Sequence, residues 1–105
     1  MGEVLAATAS LRRWQGDRGT YHLVILTGEI AKAISMHERL HRLEFGARRG
    51  FGSVKVMARI GGTEWKSSVF PQRGKAEWFL LVSKKVMRAE DLSEGDSVAL
   101  EIELL

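Results

Sequence analysis

Apolar and polar residues alternate with a period of two over most of this chain, the spacing that puts one face of a strand in a core and the other against solvent. The clearest run is Val54, Val56, Ala58 and Ile60, interleaved with Ser53, Lys55, Met57 and Arg59. Gly61-Gly62 follows as a two-residue hairpin loop, read as a type I′ turn because glycine supplies positive φ at both central positions without strain. That loop sets a register with Ile60 opposite Thr63, Arg59 opposite Glu64, Ala58 opposite Trp65 and Val54 opposite Val69. Charges then complement one another outside, and large side chains meet small ones inside, on a core face of Val54, Val56, Ala58, Trp65 and Val69. Pro71 is expected to end the second strand, with the loop Gln72 to Ala76 after it, because proline cannot donate to a continuing ladder.

The same alternation predicts a first strand from about Val4 to Trp14, a turn at Gln15 to Gly19 and a return strand from Tyr21 to Leu26. Glu77 to Val82 reads as a strongly apolar strand, and Val98, Leu100, Ile102 and Leu104 as the inward face of a last one after the Gly95-Asp96 turn. Between Glu29 and Leu43 the spacing becomes helical. Ile30, Ala33, Ile34, Met36, Leu40 and Leu43 fall along one face there, with Thr27 placed as the cap. Ser83 is placed to cap a second, short helix from Lys84 to Glu90. Strand, helix, strand therefore occurs twice, a faint internal repeat in which each unit covers one end of a barrel.

Composition narrows the function classes. The 105 residues, 45% of them hydrophobic, suit a single domain over residues 1–105. The chain has no cysteine, which excludes disulfides, thiolate metal sites and thiol catalysis. Glu3 stands where an export signal wants a basic residue, Ala6 breaks the myristoylation pattern, and no apolar run approaches the roughly 20 residues that span a bilayer. The expectation is a cytoplasmic chain without a membrane. A net charge of +3 permits nucleic-acid binding without requiring it.

Candidate chemistry is sparse. His37-Glu38-Arg39-Leu40-His41 matches the H-E-x-x-H pattern, whose i, i+4 histidines share a helix face for zinc. It lacks the metzincin extension and a third ligand, and Arg39 and Arg42 would set cations beside a metal; zinc-dependent hydrolysis is a remote alternative. Arg48, Arg49, Phe51, Lys55, Arg59, Lys66 and Arg73 form the candidate ligand or nucleic-acid surface, with cations to neutralise phosphates and Phe51 to stack on a base. An ordinary solvated strand face explains the same charges. The Gly50-Phe51-Gly52 triplet reads as a bend at strand entry, and Trp14, Trp65 and Trp78 as core or rim residues.

Arg49-Gly50-Phe51-Gly52-Ser53-Val54, Ile60-Gly61-Gly62-Thr63, Trp65 to Pro71 and Glu94-Gly95-Asp96 together resemble a bacterial and archaeal family known as domain of unknown function 1905. The resemblance spans nearly the whole chain. It departs at Ser83 and at Thr27-Gly28, where the family commonly has proline. It implies a mainly β fold, a six- to seven-stranded double-split pseudobarrel capped by helices. That fold is grouped with the swapped-hairpin barrels of bacterial transition-state regulators and antitoxins, which Leu92 to Val98 also resembles. Those regulators bind DNA as interlocked dimers, whereas both halves occur within this one chain, so a monomer is expected. The family carries no established activity, and fold kinship is not function. The leading expectation is a non-enzymatic ligand- or partner-binding domain without a cofactor; nucleic-acid binding through the basic hairpin is the alternative.

Overall fold

A computed structural model describes residues 3–45, 52–72 and 76–105. The elements are β1 (Val4–Ser10), β2 (Arg12–Gly16), β3 (Gly19–Leu26), α1 (Gly28–Phe45), β4 (Val54–Ile60), β5 (Thr63–Gln72), β6 (Glu77–Leu81), α2 (Lys84–Ala89) and β7 (Ser97–Leu104). All seven strands join one antiparallel sheet in the order β1-β7-β4-β5-β6-β3-β2, a curled half-barrel accompanied by two helices. No helix among the described residues is long and apolar enough to cross a membrane.

The expected first strand is two strands. β1 pairs with β7 at one edge of the sheet and β2 with β3 at the other, with Leu11 alone between them. Leu11 is 1% exposed. Its N–H donates to the Asp96 carbonyl at 2.8 Å, and its carbonyl accepts from the Gly95 N–H at 2.8 Å. Burying this side chain while both of its backbone groups are paired bends the chain from one edge to the other. The sheet curls accordingly, bringing β1 against β3.

The β4–β5 hairpin has the register expected of it, from Ile60 opposite Thr63 to Val54 opposite Val69. Its turn differs. Gly61 has φ of 57° and Gly62 does not adopt positive φ, the pattern of a II′ rather than a I′ turn. Gly61 also sits under the carboxylate of Glu90, whose Oε2 accepts a 2.6 Å hydrogen bond from Thr63 Oγ1, so the hairpin tip is fastened to the end of α2.

Pro71 does not end β5; it lies inside the strand, opposite Trp78. Pairing with β4 stops at Val69, so beyond that point β5 pairs, among the described residues, with β6 alone, and the donor that proline lacks is not needed for the β4 ladder.

The predicted face of α1 holds only for its first half. Ile30, Ala31 and Ile34 enter the core, and Ser35 Oγ accepts a 2.9 Å hydrogen bond from Trp78 Nε1. Met36, Leu40 and Leu43 are instead 54%, 58% and 77% exposed. Periodicity identifies a common face; it does not say how far a neighbouring surface extends beneath it. Eighteen residues make a rod of roughly 27 Å, which carries the second half past the sheet. Thr27 makes no side-chain hydrogen bond among the described residues, whereas Ser83 caps α2 as expected, accepting from the Val86 N–H at 3.3 Å.

The twofold recurrence of strand, helix, strand has a structural counterpart. β3 pairs with β6 and β4 with β7, so like strands of the two units lie side by side. Superposing Thr27 on Ser83 makes Val24 equivalent to Leu80, Leu26 to Val82 and Ile30 to Val86, and all six are buried.

The hairpin tip yields a paired test by urea unfolding. Gly61→Ala adds a Cβ at positive φ that collides with Glu90 and is expected to cost about 1–3 kcal/mol. Gly62→Ala, with nothing within 4 Å of the new methyl, is expected to be neutral or to stabilise by a few tenths up to about 1 kcal/mol.

Candidate binding surface

Of the residues that the sequence nominates for a binding surface, Arg48, Arg49, Phe51 and Arg73 lie outside the described residues. Lys55, Arg59 and Lys66 are exposed on the outward face of the β4–β5 hairpin, as their alternation requires. Arg59 is committed within that face. Its Nη1 donates to Glu101 Oε1 at 2.7 Å and its Nη2 to Glu64 Oε2, and these bonds, Glu101 first, raise the guanidinium further above its ordinary value. Register also sets Met57 between Lys66 and Glu103. The outward face of β5, β4 and β7 thus carries Lys55, Arg59 and Lys66 against Glu64, Glu101 and Glu103, equal in cations and anions.

The H-E-x-x-H histidines share a helix face, as their spacing requires. His37 Nε2 lies 3.3 Å from the Leu105 carbonyl, Glu38 forms an ion pair with Arg42 at 3.5 Å, and the two imidazole centroids are 6.3 Å apart. Among the described residues no three histidine, aspartate or glutamate side chains gather as a metal site. An open cleft of about 560 Å³ beside β1 is lined mostly by small residues, with Thr8, Leu100 and the Arg59–Glu101 pair among them.

The more distinctive surface lies on the other half of the sheet's outer side. Val24 and Leu26 of β3, Trp78 and Leu80 of β6 and Val69 of β5 point into the core, so their neighbours Leu23, Ile25, Phe79, Leu81 and Phe70 point outward. These five are half-buried yet do not pack against the core cluster. Register aligns Phe70, Phe79 and Ile25 in one row, and Leu81, Leu23 and Arg12 in the next. The Phe70 and Phe79 rings stack with centroids 5.5 Å apart.

The surface continues onto the edge strand as the cross-strand pair Trp14–Tyr21, 57% and 38% exposed, with ring centroids 5.8 Å apart. Trp14 is therefore neither core nor a covered rim residue. A Cβ on Gly16 would stand 2.7 Å from Cζ3 and 2.9 Å from Cη2 of Trp14, so the indole lies down over a glycine that has no side chain to lift it.

None of these outward apolar residues was nominated from sequence. The available signal was the pair of unbroken apolar runs, Leu23 to Leu26 and Trp78 to Val82, which implies two apolar faces where alternation implies one.

The family model described as Domain of unknown function (DUF1905) matches residues 8–102. No curated protein matches the chain.

The seat of Trp14 can be read by NMR. The Gly16 Hα resonances are expected upfield of their usual position, in the ring current of the indole. Gly16→Ala should displace the ring and abolish Trp14–Tyr21 cross-peaks while changing stability by under about 1 kcal/mol, because an exposed ring can swing aside.

Proposed function

We propose that this chain, which belongs to the DUF1905 family, is a non-enzymatic binding module that takes its partner on the outer face of β5, β6, β3 and β2. The observation that carries this reading is the unbroken outward array of Phe70, Phe79, Ile25, Leu81 and Leu23, prolonged by Tyr21 and Trp14. Folding does not call for apolar side chains on this side of the sheet. Contiguous apolar surface outside the core is what protein and ligand interfaces use, since covering it releases about 25 cal/mol per Å² removed from water.

The site accordingly extends from β5 away from β4, across β6, β3 and β2, rather than over the outward cations of the β4–β5 hairpin that the sequence favours. Arg59 supports that shift, because Glu101 and Glu64 already offset its charge and would repel a phosphate brought to it. Arg42, which pairs with Glu38, and the exposed Arg39 set cations beside His37 and His41, which disfavours a divalent metal there.

A fragment screen followed by amide chemical-shift mapping tests the reading. Aromatic fragments are expected to cluster their shifts on Leu23, Ile25, Phe70, Phe79 and Leu81. Clustering around His37 and His41, or no preference for this face, would overturn it.

A further inference from the structure

We propose, resting on that binding-module reading, that the Trp14 end of the face takes single-stranded nucleic acid, with a base stacked on the open side of the indole and phosphates on the surrounding cations. The argument begins with how the ring is held. Gly16 beneath it and Tyr21 beside it fix the indole over strand β2, and 57% exposure leaves it accessible to a planar ligand. An exposed, pre-oriented aromatic on a sheet is the element that nucleic-acid platforms use to stack unpaired bases, and bases locked in a duplex do not present that face.

Charge decides among planar or apolar partners. Arg12 shares the outward side of β2 with Trp14, and Arg18 occupies the β2–β3 turn, both exposed. The Val82 N–H donates to the His22 carbonyl at 2.8 Å, which joins the segment leading into α2, where Lys84 and Lys85 are exposed, to the residue that follows Tyr21. From Arg12 to Leu26 the sole acidic residue is Asp17. Arg13, on the opposite side of the strand, is the arginine of this hairpin that has an acidic partner, Glu94 at 3.6 Å. Arg12 and Arg18 thus share the hairpin that carries the two exposed aromatic rings, and Lys84 and Lys85 lie on the next element in that direction, in contrast with the balanced face of β4 and β5. A neutral apolar partner would gain nothing from them; a polyanion with stacking bases uses both features.

The test is fluorescence anisotropy of a fluorescein-labelled oligothymidylate titrated with the full chain at several salt concentrations. Binding is expected, with a log K against log salt slope of about −3 if four phosphates are neutralised. Trp14→Ala should weaken binding about tenfold or more and Trp14→Phe much less, as expected for stacking. Arg12→Glu combined with Lys85→Glu should reduce both affinity and slope, while Lys55→Glu combined with Lys66→Glu should leave binding within about twofold. Trp14 lies outside the core, and an unchanged amide spectrum of each variant establishes that it is folded.

Absence of binding at low salt overturns the inference, as does binding that is indifferent to Trp14→Ala but lost in the Lys55/Lys66 variant. Preferential, Trp14-dependent binding of a poly-glutamate peptide would replace nucleic acid by an acidic protein and also overturn it. If fragments still collect on Phe70 and Phe79 when the oligonucleotide fails, the binding-module reading stands without this inference; if neither binds, both fall.

Discussion

Burial of Leu11 between β1 and β2, with its amide and carbonyl both paired to the Gly95–Asp96 turn, makes one stretch of chain serve both edges of the sheet. A flat seven-stranded sheet could not satisfy that arrangement, because its edges would be separated by all five intervening strands at about 4.8 Å each. The sheet must curl. Once it does, the alternating residues of β3 to β7 converge on a common interior, and Ile30, Ala31 and Ile34 of α1 and Val86 of α2 complete it. Glu90 reinforces the far side by holding the hairpin tip at Gly61 and Thr63.

The outward surface divides in character across β5. On β4 and β7 the outward positions other than Met57 are polar or small, with Lys55, Arg59, Glu101 and Glu103 among them and Arg59 bridging Glu64 and Glu101, typical of a solvated strand face. On β6 and β3 the same structural positions are Phe79, Leu81, Ile25 and Leu23. A sheet needs only one apolar face to pack its core, so the second is an expenditure that folding alone leaves unexplained. Its nearness to a seated indole and a local excess of cations joins three features that a binding surface would combine.

Legibility from sequence followed the range of the interactions. The β4–β5 register was readable because a two-residue glycine loop and strict alternation are local, and the short α2 because a serine cap is local. The break at Leu11 was not, because an apolar residue continues the alternation of Leu5, Ala7 and Ala9 whether the strand runs on or turns inward. Nor was the exposure of Met36, Leu40 and Leu43, which depends on where the sheet ends. Pro71 misled because its cost depends on whether a neighbour strand is present on that side. The outward apolar face was missed for a related reason: cations draw attention one residue at a time, whereas such a face emerges only when the register of four strands is known.

Hydrogen exchange at the Leu11 and Gly95 amides tests the dependence of the whole arrangement on that corner most directly. If Leu11 locks the sheet edges, both amides exchange only through global unfolding, with the same free energy of opening as the central β4 and β7 amides. Exchange of Leu11 and Gly95 at a distinctly lower opening free energy, together with β2 and β3, would mean that the β2–β3 hairpin peels away on its own. That result would contradict both the curled closure and the fixed platform built on it.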